Sequence, residues 1–340
     1  MLSEKMHDVP SLSLITIKDC DAGQRIDRWL RSRYPNVSQS LLQKLIRKGN
    51  IRVNKYKIKP NYIVNIGEKI FIPLVLQESN PKKTNRTSGF ISEKDQNFVK
   101  SLVIYKDDHI FALNKPHGLA SQGGSGQIHH IDFLIRGLVA NAEIDDCPRL
   151  VHRLDIGTSG TLLLARTRIA AQKLTELFRD HKIVKIYWAC VMGKPTKVHG
   201  IISSDVAKKT STQIMETTCY SLIKHSDIHN VSWLALYPLT GKKHQLRRHL
   251  QTLNTPIIGD KQYGFSPSPS SLLQSQKLHL HARTVLFYHP FPPHHAVKIT
   301  APLPQHMEKN WAQCQWRNGD FSEDIFMLQH ADSIPKGISD

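Results

Sequence analysis

Apolar positions along the chain follow two different periods. Between residues 17 and 75 they recur at helical spacing: Ile26, Trp29 and Leu30, then Leu41, Leu42, Leu45 and Ile46. Ser38 or Ser40 can cap the second helix, and Gly49-Asn50 can end it. Ile51 and Val53 then alternate with Arg52 and Asn54, as in a short strand. From about residue 100 to 305 the period shortens to two. Val184, Ile186, Trp188, Cys190 and Met192 alternate with Lys185, Tyr187, Ala189 and Val191, which predicts a strand over 184–192. Further strands are predicted at 103–105, 109–113, 161–166, 214–222, 231–237, 284–288 and 296–300. Two helices interrupt them. Residues 168–181 place Ala171, Leu174, Leu177 and Phe178 on one face. Residues 243–253 turn Leu246, Leu250 and Leu253 inward, which leaves His244, Arg247 and Gln251 on a different face.

This pattern predicts an α+β protein in two parts: a small α/β unit at 17–76 and a larger domain at 100–305 built on a mixed, mainly antiparallel sheet. Residues 77–99 read as a polar, aperiodic linker, and 306–340 as a tail that holds Trp311 and Trp316 without a period. Ser266 to Ser275 is Ser/Pro-rich and reads as a loop. No apolar run approaches the roughly 18–20 residues that span a bilayer. Met1 to Asp8 reads as neither a secretory nor a transit sequence. The five cysteines, at 20, 147, 190, 219 and 314, form no C-x-x-C pair, which fits reduced thiols in the cytoplasm. The absence of a self-complementary apolar stripe points to a monomer.

Charge adds a partner. The 340 residues carry 46 Lys+Arg against 28 Asp+Glu, a formal net charge of +18. That excess suits a polyanion. Residues 41–59 hold Lys44, Arg47, Lys48, Arg52, Lys55, Lys57 and Lys59 and no acid. On a unit of two helices and a strand, such a one-signed patch is either a set of phosphate contacts or a solvated basic face.

Candidate chemistry concentrates downstream. His152-Arg153-Leu154-Asp155 runs into Ile156-Gly157-Thr158-Ser159-Gly160, a turn before the apolar run Thr161 to Ala165. Asp155 is either a nucleophile at the rim of a sheet or a turn-capping carboxylate beside Thr158 and Ser159. A nucleophile must be ionised, and a guanidinium close by favours that form; Arg247 is the candidate. Tyr187 is either a platform for a nucleobase or a cross-strand aromatic. Lys242, Lys243, Arg247 and Arg248 are either phosphate contacts or a solvated helix face. Gly123-Gly124-Ser125-Gly126 lacks the Gly-Lys-Ser/Thr of a phosphate loop. Among the 19 histidines, the pairs His129-His130 and His294-His295 and the alternating His279 and His281 do not have the helical H-x-x-x-H form with an acid between, so no metal is expected. A kinase is excluded: the acid of the His-Arg-Leu-Asp string falls one place late and no Asp-Phe-Gly occurs.

Taken in order, these segments resemble the RluA-like pseudouridine synthases. His152-Arg153-Leu154-Asp155 with Thr158-Ser159-Gly160 looks like that family's catalytic motif, and Lys185 to Ala189 resembles its tyrosine motif. Thr240 to Arg247 resembles the arginine motif and Leu280-His281-Ala282 the late apolar motif. Val103 to Ile110 and Asn114 to Gly118 are similar to its opening strands. Pro256, Gly259-Asp260 and Tyr263-Gly264 follow in the family's order. Residues 17–76 resemble an S4-type RNA-binding domain. The glycine-rich loop resembles the RluC-type branch, which acts on large-subunit ribosomal RNA. Ile156-Gly157 and Lys242 depart from the usual residues. The resemblance implies isomerisation of a uridine in RNA to pseudouridine without a cofactor. Asp155 would be the catalytic acid, paired with Arg247; Tyr187 would stack on the uracil and Leu280 would wall the pocket. Arg153, Lys242 and His244 would be further substrate contacts, and Lys44, Arg47, Lys48, Arg52, Lys55 and Lys57 would bind RNA. The expected partner is large-subunit ribosomal RNA or a pre-ribosomal particle. The alternatives are a catalytically silent assembly factor and a transfer-RNA uridine isomerase.

Overall fold

The structure, a computed structural model, describes residues 12–18, 21–34, 37–74, 76, 91–123, 129–139, 148–206, 214–264 and 276–316. The glycine-rich loop beyond Gly123, residues 77–90 of the linker, the Ser/Pro stretch and the tail beyond 316 lie outside them. Contacts divide the chain into two units, residues 1–90 and 91–340.

The first unit packs helices α1 (Ile26–Arg33) and α2 (Gln39–Lys48) on a four-stranded sheet. Its strands are β1 (Leu12–Thr16), β2 (Arg52–Val53), β3 (Tyr56–Lys57) and β4 (Lys69–Pro73), in the order β1-β4-β2-β3. The helical spacing holds, since Ile26, Trp29, Leu30, Leu42 and Ile46 are all buried in one cluster. The Ser38 hydroxyl accepts the amide N–H of Leu41, and Gly49 closes α2 in the left-handed conformation. The unit starts earlier than residue 17, because β1 pairs along the whole of β4.

The second unit is a ten-stranded sheet with helices on it. The strands are β5 (Val103–Lys106), β6 (Ile110–Lys115), β7 (Arg149–Leu150), β8 (Ser159–Ala165) and β9 (Val184–Met192). They continue as β10 (His199–Val206), β11 (Ile214–Ser226), β12 (Val231–Pro238), β13 (Leu280–Tyr288) and β14 (Ala296–Thr300). The order is β10-β11-β12-β9-β13-β8-β6-β5, with β14 on β13 and β7 on β8. Every pairing is antiparallel except β13 with β8, where His281 and Ala282 lie parallel to Ser159 and Gly160. The mixed, mainly antiparallel expectation therefore holds.

Helices α3 (Glu93–Ser101), α4 (Ile131–Leu134), α5 (Arg168–Arg179), α6 (Gln245–Thr252) and α7 (Gln305–Gln313) complete this unit. Two boundaries need correction. Residues 93–99, assigned to the linker from sequence, belong to α3, capped by Ser92 and anchored by the buried Val99. The start of the supposed tail forms α7, whose Met307 and Trp311 pack into the core beside Trp188 and Trp233. Alternation along β9 sorts the core. Ile186, Trp188 and Cys190 face the tryptophan cluster, while Tyr187, Ala189 and Val191 face α6 through Leu246 and Leu250.

Candidate active site

The site forms where β8, β13 and β9 lie side by side. The parallel step brings the loop ahead of β8 beside the start of β13, and β9 pairs Tyr187 with Ala282. Asp155, Tyr187 and Leu280 consequently line one cavity of about 810 Å³, together with Arg153, Lys242, His244 and Arg247. That volume lies within the range of small-ligand sites. Every catalytic and substrate-contact residue expected from sequence reaches it.

The Asp155 loop is pinned on both sides. The Ser121 hydroxyl accepts the Leu154 N–H at 3.1 Å and donates to the Leu154 carbonyl at 2.7 Å. The His152 Nε2 accepts the Leu163 N–H at 2.8 Å. Beyond the acid, the Ile156 carbonyl accepts from the Gly118 N–H at 2.8 Å. The ammonium of the fully buried Lys115 donates to the carbonyls of Pro116, Leu119 and Ile156 at 3.0, 2.7 and 3.4 Å. Burial pulls that ammonium down to about 7, against the opposing pull of Asp155. A loop held this way presents its acid in one orientation.

The turn-capping reading of Asp155 does not hold. Its backbone carbonyl, not its carboxylate, accepts the Thr158 N–H at 3.0 Å. Among the described residues the carboxylate accepts no hydrogen bond. Its side chain is 37% exposed, and the His244 Nε2 lies 3.8 Å from it. Desolvation lowers the His244 imidazole while Asp155 opposes it. Its Nδ1 lies 3.1 Å from the Tyr263 hydroxyl. Burial, reinforced by the negative charge of Asp155, raises the Tyr187 phenol well above its ordinary value. The phenol stays protonated, and its ring forms a wall of the cavity.

Arg247 is not the hydrogen-bonded partner of Asp155. Its Nε and Nη2 make a bidentate pair with Asp260, each at 2.6 Å, and its guanidinium stacks 4.8 Å from the Tyr263 ring. The buried Asp260 carboxylate also accepts the amides of Gln262 and Tyr263 at 3.2 and 3.1 Å, so it needs a cation there. Arg247 still feels the Asp155 charge. Arg248 is likewise engaged, paired to the buried Glu216. Only Lys242 and Lys243 of that run remain exposed at the cavity. Gln245 shapes their turn, accepting from Thr240 Oγ1 at 2.8 Å and the Lys242 N–H at 3.1 Å. Arg153 is exposed, with one donor 3.4 Å from the Gln122 amide oxygen. Sequence reading missed Lys115 and Asp260 as parts of the site. Both stand in motifs noted above, but only burial reveals their roles.

In the first unit, Lys44, Arg47, Lys48, Arg52, Lys55 and Lys57 are all exposed. Tyr56, 76% exposed between two of those lysines, adds an aromatic ring that the charge pattern did not disclose. No cluster of three or more metal-ligating side chains occurs among the described residues, and none of their helices is long and apolar enough to cross a membrane.

Comparison with known proteins agrees with this arrangement. The family model for RNA pseudouridylate synthase matches residues 109–252, and that for the S4 domain matches residues 24–70. Ribosomal large subunit pseudouridine synthase C of Vibrio vulnificus is 32% identical over 308 residues, covering 88% of this chain and 95% of that protein. The protein of the same name in Rickettsia typhi is 33% identical, over 77% of this chain and 88% of its own. Among solved structures, human RNA pseudouridylate synthase domain containing 4 superposes with a TM-score of 0.55 at 25% identity, covering 65% of this chain and 97% of its own. With the S4 unit, the ten-stranded sheet and the open acid at its centre, this chain belongs to the RNA pseudouridylate synthase family.

Proposed function

We propose that this protein isomerises uridines of large-subunit ribosomal RNA to pseudouridine, with Asp155 acting on the ribose. The observation that carries the reading is the Asp155 carboxylate. It stands in the cavity without a hydrogen bond from any described residue, while the backbone on both sides of it is fixed. A structural carboxylate would be bonded; a reacting one must be free to approach its target. The reaction breaks the N1–C1′ bond, turns the base and joins C5 to C1′. The proton lost from C5 is balanced by one gained at N1, so product and substrate have the same atoms and no oxidant is consumed. Asp155 serves as nucleophile at the sugar or as base at its 2′ position. Tyr187 and Leu280 enclose the uracil, which must leave its stack at a cost of about a few kcal/mol.

Ribosomal RNA is favoured by the names of the Vibrio and Rickettsia relatives and by the acid-free basic face of residues 41–59. The test is carbodiimide mapping of ribosomal and transfer RNA from cells with and without the protein. The expected result is loss of one or more pseudouridines from the large-subunit RNA, restored by the wild type and not by Asp155→Asn. Restoration by Asp155→Asn would remove the acid from the mechanism. Losses confined to transfer RNA would replace the substrate.

A further inference from the structure

The cavity holds a buried cation that the proposed isomerisation does not use. Lys185 lies two residues before Tyr187 on β9, on the same face and about 6.6 Å away along the strand. Its side chain is largely buried and lines the cavity. Among the described residues its ammonium makes no hydrogen bond and no ion pair. Asp155 acts electrostatically on Lys115, Tyr187, His244 and Arg247, whereas burial is what moves Lys185.

Among the described residues no carboxylate is paired with Lys185. His152 stands beside it, its imidazole stacked 4.5 Å from the Phe178 ring and its Nε2 already occupied by the Leu163 N–H. The adjoining Arg179 and His181 are basic, and the Arg179 guanidinium is bonded to Asp180 at 2.9 Å. Burial pulls the Lys185 ammonium down to about 8, so most of it remains charged at neutral pH. A desolvated cation with no counter-charge is destabilising unless what enters the cavity supplies an anion. A neutral uracil carbonyl offsets little of that cost; a charged oxygen offsets much more.

Building on the uridine reading, we propose that Lys185 forms a second subsite, which holds the RNA phosphodiester next to the uridine whose base lies against Tyr187. The subsite fixes the backbone of the everted nucleotide while the acid works on its sugar. Lys185 is a substrate-binding residue here, not a proton donor. Its loss weakens the hold on RNA more than the chemical step.

The test compares Lys185→Met, which keeps the apolar stem, with the wild type on an unmodified large-subunit ribosomal RNA transcript. Lys185→Met is expected to raise KM on the order of tenfold with kcat little changed. It should also reduce the slope of log affinity against log salt by about 0.7–0.9, the share of one phosphate contact. An unchanged salt slope in a variant with a native near-ultraviolet spectrum overturns the proposal. A second arm leaves the protein intact. Short RNAs carrying the mapped uridine are made with one neutral methylphosphonate linkage at each position in turn. Neutralising one linkage adjacent to the uridine should cost the wild type about as much as Lys185→Met does, and cost Lys185→Met nothing further. Equal losses in both proteins, or none at the adjacent linkages, overturn it. Filter binding reads the same contact whether or not pseudouridine forms, so failure of this subsite is separable from failure of the isomerase reading.

Discussion

Two aspartates in the catalytic unit should respond to mutation in opposite ways. Asp260 is 1% exposed and holds Arg247 through two 2.6 Å bonds, with two backbone amides on its remaining lone pairs. Asp260→Ala removes one member of a largely desolvated pair, since the Arg247 side chain is only 13% exposed. Breaking such a pair costs about 3–5 kcal/mol, because the remaining charge is left uncompensated. In a unit of this size each kcal/mol shifts the midpoint by about 2–4 °C, so the unit should melt on the order of 10 °C lower. Asp155→Asn removes no hydrogen bond and should stay within about 0.5 kcal/mol of the wild type. The readout is thermal unfolding followed by near-ultraviolet circular dichroism of the Trp188–Trp233–Trp311 cluster, which lies in this unit. Tritium release from uridine-labelled RNA, measured below the transition, supplies the activity. Asp155→Asn should be stable and inactive, whereas Asp260→Ala should be unstable and should keep measurable turnover at low temperature. If the two variants lose equal stability, the division between a reacting acid and a clamping acid is wrong.

Gly160→Ala should abolish folding of the second unit. Gly160 has φ +107°, and an added Cβ would stand 2.2 Å from the Ala282 carbonyl oxygen. A cost of at least about 3 kcal/mol follows, read as lost soluble yield, and wild-type stability would refute it. Acid should weaken the same unit. Burial holds His279 down to about 4, and His152 and His281 down to about 3, so the folded chain refuses protons that the unfolded chain accepts near 6.5. Stability is therefore complete above about pH 6.5 and falls toward pH 4, by up to about 1.4 kcal/mol per histidine per pH unit. A midpoint that does not move between pH 7 and 5 would contradict this. Replacing Lys44, Arg47 and Lys48 together by Gln should lower RNA affinity and take about 2–3 from the salt slope, leaving stability unchanged. An unaltered slope in filter binding would exclude the basic face from the interface.

Segments with a long, unbroken period were readable from sequence. All of β9 follows from alternation over nine residues, because one face meets the tryptophans and the other meets α6. Predicted from residue 284, β13 instead starts at 280. Leu280-His281-Ala282-Arg283 looks polar in part, yet His281 is fully buried with its Nδ1 2.9 Å from the Ser159 hydroxyl. The edge strand β10 was missed, since it carries His, Gly, Ser and Asp and leaves Ile201 61% exposed. The two buried apolar residues of α7, Met307 and Trp311, give a single i, i+4 step, too little to show a period. At the site, motif order brought out Asp155, Tyr187 and Arg247. It did not show which carboxylate Arg247 binds. That depends on Asp260 being sealed from water while Asp155 is open to it, a difference in burial that no spacing encodes.

The parallel seam between β8 and β13 sets the order in which the site can be assembled during synthesis. Ser159 and its partner His281 are separated by more than a hundred residues, and the seam places Leu280 and Tyr187 opposite Asp155. Closing so long a span is entropically slow. A growing chain that has made Asp155, Tyr187 and Arg247 but not yet β13 has all three side chains and no pocket. On the uridine reading, competence to modify RNA is thus withheld until β13 has been made, and fragments ending before residue 280 should be inert whatever motifs they carry.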